Sequence, residues 1–175
     1  MLRMREHVHR LYFYYVVFLF QNKQVAGLCG GVAAYVYNFL SLNFHQPVHH
    51  ILYLLSVAGR RDRTKYWVHR VLGELYSPDI FPGDEDTGSM SAWYILGCLG
   101  IFSPCPGRSD WTLGSPLFPK ASITFPDGRT IQIESRNSRA AAGAAHGVTV
   151  NGKPLEGNLL PHDTFRRNAH LVFED

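Results

Sequence analysis

The chain has 175 residues, of which 46% are hydrophobic and 18% are charged; this is enough for one packed domain and excludes a wholly disordered protein. Its formal net charge of +3 is too small to indicate nucleic acid as a partner. The three cysteines, Cys29, Cys98 and Cys105, allow at most one internal disulfide and exclude a disulfide-rich scaffold.

The first 42 residues differ in composition from the rest of the chain. Residues 1–10 are basic, residues 11–20 are wholly apolar or aromatic, and a second uncharged run covers residues 25–42. A basic stretch followed by an apolar one is typical of a secretory signal peptide, which indicates a secreted or secretory-pathway protein. Residues 11–42 would equally suit a membrane anchor or a pair of buried helices, or the start of the chain is not the authentic one.

Two helices are expected in the next segment. Pro47 suits the first position of a helix that Gly59 would end in the left-handed conformation, and the apolar residues between them recur with helical spacing. A second helix is expected to begin with Asp62 or Thr64 as its cap and to end at Ser77-Pro78.

A third helix is expected over residues 90–102, MSAWYILGCLGIF. This stretch is apolar nearly all round, which predicts a helix buried on most of its sides. The segment SPCPG, residues 103–107, then interrupts the pattern.

The last third of the chain has the alternating pattern of β-strands. Residues 121–125 and 130–134 flank a tight Pro-Asp-Gly-Arg turn and predict a hairpin. Residues 148–150, followed by Asn-Gly, predict the start of another hairpin, and residues 170–174 predict a final strand. The small-residue stretch 138–147 predicts a loop. Helices followed by strands, without alternation, predict an α+β fold or pieces of two domains.

The densest group of candidate catalytic residues is the loop of residues 83–88, where Asp84, Glu85 and Asp86 stand between two glycines. Repulsion between close carboxylates raises the pKa of at least one of them unless a cation or hydrogen bonds compensate. The group therefore suits a general base or a cation site. The alternative is a solvated acidic loop, stabilised by the positive end of the following helix.

Three histidines in residues 45–50, HQPVHH, raise the question of a metal site. His49 and His50 are neighbours and cannot both face one ion from a helix, and no second metal-binding motif accompanies them, so zinc is not expected. Histidines that make hydrogen bonds at a helix start explain the pattern better, and a sugar or phosphate contact remains an alternative.

Aromatic residues are a further candidate group, because aromatic faces pack on sugar rings. Most of them are expected in the core instead, and Cys105 is expected to be structural. The aromatic candidates are Trp67, Trp93, Trp111, Tyr66, Tyr76 and Tyr94.

Five stretches, taken in order over residues 43–175, resemble the C-terminal part of glycoside hydrolase family 92. They are residues 46–54 (QPVHHILYL), 83–94 (GDEDTGSMSAWY), 105–107 (CPG), 114–118 (GSPLF) and 150–155 (VNGKPL). The resemblance implies a calcium-dependent, inverting, exo-acting α-mannosidase whose substrates are α-mannosides such as N-glycans. It also implies the last helices of an (α/α)6 barrel followed by short antiparallel strands. Family members are much longer than this chain.

The resemblance also implies roles for individual residues. Asp86 matches the catalytic base, and Asp84 matches the carboxylate that helps to hold the attacking water. Gln46, His49 and His50 match substrate-binding positions. Gln46 stands where many members have a glutamate near the calcium, so its amide oxygen would be the metal ligand.

The general acid of the family is a glutamate that lies upstream of these motifs. In this sequence Glu6 is the only acidic residue before Asp62, and its surroundings do not match. A catalytic base without a general acid is only one of the two groups that an inverting mechanism needs.

The sequence therefore predicts three regions: an apolar segment 1–42 without resemblance, a partial helical-barrel region 43–107 and a β region 108–175. The first functional hypothesis is an incomplete and inactive α-mannosidase. The alternatives are a non-catalytic module that binds mannosides or a partner, and a membrane-anchored remnant held by residues 11–42.

Overall fold

The computed structural model describes residues 49–79, 85, 87–105, 107–136 and 147–174. The helices are α1 (Ile51–Val57), α2 (Arg61–Glu74) and α3 (Ser89–Leu99), with a short 3-10 helix at His162–Arg166. The strands are β1 (Ile101–Phe102), β2 (Asp110–Leu113), β3 (Lys120–Thr124), β4 (Thr130–Arg136), β5 (Val148–Val150), β6 (Lys153–Pro154), β7 (Leu159–Pro161) and β8 (Ala169–Glu174). The predictions for residues 1–42 and for most of the loop 138–147 fall outside the described residues.

The strands form two sheets, and the α+β fold is confirmed. The smaller sheet has the order β1-β2-β7, and the larger has the order β3-β4-β8-β5-β6. Most neighbouring strands are antiparallel, as expected, but β4 and β8 run parallel, with Ile131 opposite Ala169. This pairing joins strands that are far apart in the sequence, so no turn motif predicts it.

The first helix ends as predicted but begins only at Ile51, not at Pro47, and the second helix differs from the prediction at both ends. Gly59 follows α1 with a φ of +82°. Helix α2 is not capped by Asp62 or Thr64, because it already begins at Arg61. Asp62 instead pairs with Arg60 at 2.8 Å, and the buried Thr64 hydroxyl donates to the Leu52 carbonyl at 2.9 Å. The helix ends at Glu74, before the predicted stop at Ser77-Pro78.

The third helix is shorter than predicted. It ends at Leu99, and Gly100 follows with a φ of +74°. Ile101 and Phe102, predicted to be helical, form β1 and pair with β2. Helix α3 is also less enclosed than expected, since the Ile95 side chain is 57% exposed.

The three predictions for the C-terminal strands are confirmed. Strands β3 and β4 form a hairpin, closed by a hydrogen bond from the Phe125 amide to the Arg129 carbonyl at 2.8 Å. Strands β5 and β6 pair across Asn151-Gly152, and Asn151 adopts a φ of +51°. Its side-chain oxygen accepts a hydrogen bond from the His170 amide of β8 at 2.8 Å, so this turn is fixed to the next strand of the sheet.

The described residues have two apolar cores. One lies among the helices and contains Leu52, Tyr53, Leu55, Trp67, Val68, Val71, Leu72, Met90, Trp93 and Cys98. The other lies among the strands and contains Ile101, Leu113, Ile131, Ile133, Val148, Leu160, Ala169, Leu171 and Phe173.

Buried Arg61 connects the helices to the sheets. Its guanidinium donates to the Gly114 carbonyl at 3.2 Å and to the Gly147 carbonyl at 3.4 Å. A buried charge requires such partners, because its desolvation would otherwise destabilise the fold. Helices and sheets therefore form one packed unit.

A helix capable of crossing a membrane is not found among the described residues. The predicted anchor, residues 11–42, lies outside them, and the secretory location remains a prediction.

Candidate functional site

Glu85, the central carboxylate of the acidic loop, is attached to the beginning of α3. One of its oxygens accepts a hydrogen bond from the Gly88 amide. The other accepts from the Ser91 hydroxyl and from the Ser91 amide, the latter at 3.2 Å. The Glu85 backbone carbonyl also accepts a hydrogen bond from the Met90 amide at 3.2 Å. Glu85 therefore fixes the loop to the helix.

This arrangement explains why a carboxylate stands at position 85. The first amides of a helix have no partner within the helix, and a negative charge at this end is stabilised by the helix dipole. The Ser91 hydroxyl contributes most to lowering the pKa of Glu85, and the Gly88 and Ser91 amides lower it further. Glu85 is consequently ionised at neutral pH.

The backbone between the loop and the helix is strained. Thr87 has a φ of +60° and Gly88 a φ of +90°. A β-branched residue such as Thr87 rarely adopts the left-handed conformation, and such outliers concentrate at functional sites. The strained residue immediately follows Asp86, the predicted base.

The second predicted element of the site, His49, packs on the same helix. Its ring stacks on Trp93 with a centroid separation of 5.1 Å, and the Trp93 indole donates to the His49 carbonyl at 3.2 Å. The side chain is only 4% exposed. Burial, together with the neighbouring charge of His50, lowers the pKa of His49 to about 4, so its imidazole is neutral at neutral pH.

Helix α3 thus brings together two motifs that are 35 or more residues apart in the sequence. Ser91 holds the acidic loop through Glu85, and Trp93, two residues later, holds His49. His50 is the N-cap residue of α1, beside His49. The other predicted site residues, Gln46, Asp84 and Asp86, lie outside the described residues.

The structure gives two of the candidate residues, Glu85 and Trp93, roles that the sequence did not predict. Glu85 is one of three adjacent carboxylates, and no feature of the sequence distinguishes it as the one that accepts hydrogen bonds from Gly88 and Ser91. Trp93 was expected in the core, where it does lie, at 1% exposure. Its contact with His49 is long-range and has no local signal.

The described residues do not by themselves make a calcium site. Calcium requires six to eight oxygen ligands, and the part of the chain that the structure describes contains no group of three His, Cys, Asp or Glu side chains that could hold a metal. Both oxygens of the Glu85 carboxylate are already engaged by donors of α3. The predicted ligand, Gln46, lies outside the described residues.

The aromatic candidates divide between the core and the surface. Trp67 and Trp93 are buried, whereas Tyr76 and Tyr94 are half-buried and line an open groove beside α3. Cys98 is a buried free thiol, and Cys105 is a half-buried one.

Glu85→Gln is expected to make the free energy of unfolding depend less on pH in the acidic range. Because the folded-state pKa of Glu85 is lowered, its ionised form stabilises the fold above the ordinary pKa of 4.5, and that contribution disappears as the pH falls through the lowered value. The variant lacks this pH dependence, so urea denaturation between neutral and strongly acidic pH should show a smaller loss of stability than in the parent chain. Glu156→Gln, in an exposed turn, is the matched control. Identical profiles for Glu85→Gln and the parent would contradict the capping role.

Comparison with known proteins gives a consistent result. The sequence profile of the glycosyl hydrolase family 92 catalytic domain matches residues 20–174. The match begins within the segment 1–42, where the motifs of the sequence had shown no resemblance. Among curated proteins no match is found.

Three solved structures illustrate the similarity. A family 92 α-mannosidase from Bacteroides thetaiotaomicron, solved with mannoimidazole, is 27% identical with a TM-score of 0.65 over 73% of this chain and 17% of its own. An inverting family 92 mannosidase from the same organism is 30% identical with a TM-score of 0.64 over 78% of this chain and 20% of its own. The family 92 glycosyl hydrolase ccman5 is 20% identical with a TM-score of 0.63, covering 70% of this chain and 20% of its own, and supports the fold alone.

The chain therefore spans about a fifth of the length of the solved structures that it matches. The family profile match, residues 20–174, contains the acidic loop, the histidine pair and the C-terminal strands.

Proposed function

The chain belongs to glycosyl hydrolase family 92, and we propose that it carries the base-bearing part of an inverting α-mannosidase site. In this proposal Asp86 is the catalytic base and Asp84 helps to hold the attacking water. Its relationship to mannosidases rests on the family match and on the solved structures. The roles of the two aspartates rest on the GDEDTGSMSAWY motif.

The attachment of Glu85 supports this division of roles within the loop. An inverting glycosidase needs one carboxylate that activates water and one carboxylic acid that protonates the leaving oxygen, about 6.5–9.5 Å apart. Glu85 is unsuited to either role because its oxygens accept hydrogen bonds from Gly88 and Ser91. With Glu85 excluded, Asp84 and Asp86 are the two carboxylates of the loop that we assign to the substrate and the attacking water.

The observation that carries the proposal is the convergence of two motifs on α3. The acidic loop is held at Ser91 and His49 is held at Trp93, both within the first two turns of the helix. A neutral imidazole can exchange hydrogen bonds with a sugar hydroxyl without carrying a charge into the site. We assign His49, together with His50 and Gln46, to α-mannoside binding.

Calcium remains part of the proposal only through Gln46, whose amide oxygen would be one ligand. The ion, when bound, would polarise hydroxyl groups of the sugar. The described residues do not assemble a calcium site.

We expect the purified 175-residue chain to release no mannose from α-linked mannobiose. Cleavage of this substrate requires protonation of a sugar leaving group. The resemblance places the acid upstream of Gln46, where Glu6 is the only acidic residue. The measurement is mannose release, with and without calcium, by the parent chain and by Asp86→Asn. Release of mannose that depends on Asp86 would contradict the proposed inactivity on natural linkages.

A further inference from the structure

Ser91, in the first turn of α3, is a residue to which the proposed mechanism assigns no role. Its hydroxyl and its amide both donate to one oxygen of the Glu85 carboxylate, the amide at 3.2 Å. The Gly88 amide donates to the other oxygen. Both oxygens of Glu85 are therefore held from the beginning of α3, and Ser91 makes the two hydrogen bonds to one of them.

The hydroxyl is the part of this contact that depends on residue type. Any residue except proline would present a backbone amide at position 91, whereas only serine or threonine adds a hydroxyl donor on the Cβ atom. A hydrogen bond to an ionised carboxylate is stronger than one between neutral groups, and the same donors keep the pKa of Glu85 low, so that it is ionised. Without the hydroxyl, this oxygen of Glu85 would keep only the longer contact with the Ser91 amide.

The loop needs such a contact because its backbone conformation is unfavourable by itself. Thr87 has a φ of +60°, and its side chain is exposed, so packing contributes little to holding it there. A threonine in the left-handed region persists only where the surrounding structure restrains it. The hydrogen bonds that span Thr87, from the Gly88 amide to the Glu85 side chain and from the Met90 amide to the Glu85 carbonyl at 3.2 Å, supply that restraint.

Asp86 is covalently bonded to the two residues that these contacts hold. Asp86 itself lies outside the described residues, but consecutive Cα atoms are about 3.8 Å apart, so restraint of Glu85 and Thr87 limits where its backbone can lie. Displacement of a catalytic group by about 1 Å can lower a rate about a hundredfold. A residue that fixes Glu85 can therefore affect the reaction at Asp86 without contacting the substrate.

We propose that Ser91 is a positioning residue for the catalytic base, which acts on Asp86 through the Glu85 carboxylate. The inference rests on the proposed function, because that proposal makes Asp86 the base. The attachment of Glu85 to α3 is independent of the proposed function.

The test is steady-state hydrolysis of 2,4-dinitrophenyl α-mannoside, whose leaving group needs no protonation, by the 175-residue chain. Ser91→Ala should lower kcat about tenfold and leave KM within about twofold, because only the position of the base changes. Ser91→Thr keeps the hydroxyl and should retain most of the rate. Ser89→Ala is the matched control, because Ser89 begins the same helix and its hydroxyl has no hydrogen-bond partner among the described residues.

A double-mutant cycle identifies the route of the effect. If Ser91 acts only through Glu85, Glu85→Ala should also lower kcat, and adding Ser91→Ala to that variant should lower kcat no further. Circular dichroism at the assay temperature gives the folded fraction of each variant, and each kcat is divided by that fraction.

Four results would overturn the proposal. They are an unchanged kcat per folded molecule in Ser91→Ala, a change in KM alone, a rate for Ser91→Thr as low as that of Ser91→Ala, and an undiminished effect of Ser91→Ala in the Glu85→Ala background. Absence of Asp86-dependent hydrolysis by the parent chain would refute the proposed function and this role together. The two failures are distinguishable, because the first leaves the parent activity and its loss in Asp86→Asn intact.

Discussion

Gly100→Ala is expected to lower the free energy of unfolding by about 3 kcal/mol or more. Gly100 ends α3 with a φ of +74°, and a Cβ atom there would lie 2.5 Å from the Pro116 nitrogen and 2.6 Å from the Ser115 carbonyl carbon. Both atoms belong to backbone, which cannot move aside as a flexible side chain could. The Gly100 carbonyl also accepts a hydrogen bond from the Gly114 amide at 2.8 Å, so a shift would disturb the junction of helix and sheet.

Gly59→Ala is the matched control for this substitution. Gly59 also ends a helix in the left-handed conformation, with a φ of +82°, but no described residue has an atom within 4 Å of its added Cβ. Only the conformational cost remains there, roughly 1–2 kcal/mol. Urea denaturation of both variants separates the close approach from the backbone conformation. Equal losses of stability would show that the contact between Gly100 and residues 115–116 does not constrain the fold.

The parts of the fold that could be predicted are those with a local cause. Gly128, with a φ of +85°, permits the tight turn of the first hairpin, and Asn151-Gly152 permits the second. Gly59 stops α1 in the same way. In each case a glycine or an asparagine, the residue types that tolerate a positive φ, stands at the position where the backbone adopts one.

The parts that could not be predicted depend on distant contacts. Strands β1, β2 and β7 have two to four residues each, and β2 pairs with β7 across 47 or more residues of sequence, whereas β1 pairs with β2 across 10 to 12. The end of α3 differs from the prediction because Ile101 and Phe102 are as apolar as the helix before them. Their pairing with β2 decides their conformation.

The candidate site shows a similar division. The acidic loop was recognisable from its three carboxylates, and the structure distinguishes Glu85 from its neighbours through the hydrogen bonds to Gly88 and Ser91. The stacking of His49 on Trp93 joins residues 44 positions apart and could not be read from either motif. The positive φ of Thr87 could not be predicted, because no feature of the sequence indicates a left-handed conformation at this position.

The largest expected effect on activity concerns a substrate that needs no general acid. In 2,4-dinitrophenyl α-mannoside the leaving phenolate departs without protonation, so a site with a base but no acid should hydrolyse it slowly. Asp86→Asn should lower that rate by about a hundredfold, because general base catalysis typically contributes 10²- to 10⁴-fold. Asp163→Asn, an exposed aspartate on the 3-10 helix, is the matched control.

Mannose release by the 175-residue chain from this activated mannoside and from α-linked mannobiose, side by side, tests the central claim most directly. If the chain has the base but not the acid, mannose is released from the activated substrate only. This release is lost in Asp86→Asn and retained in Asp163→Asn. Comparable Asp86-dependent release from both substrates would show that the chain contains its own acid. Release from the activated substrate that persists in Asp86→Asn, or no release from it at all, would contradict the role assigned to Asp86.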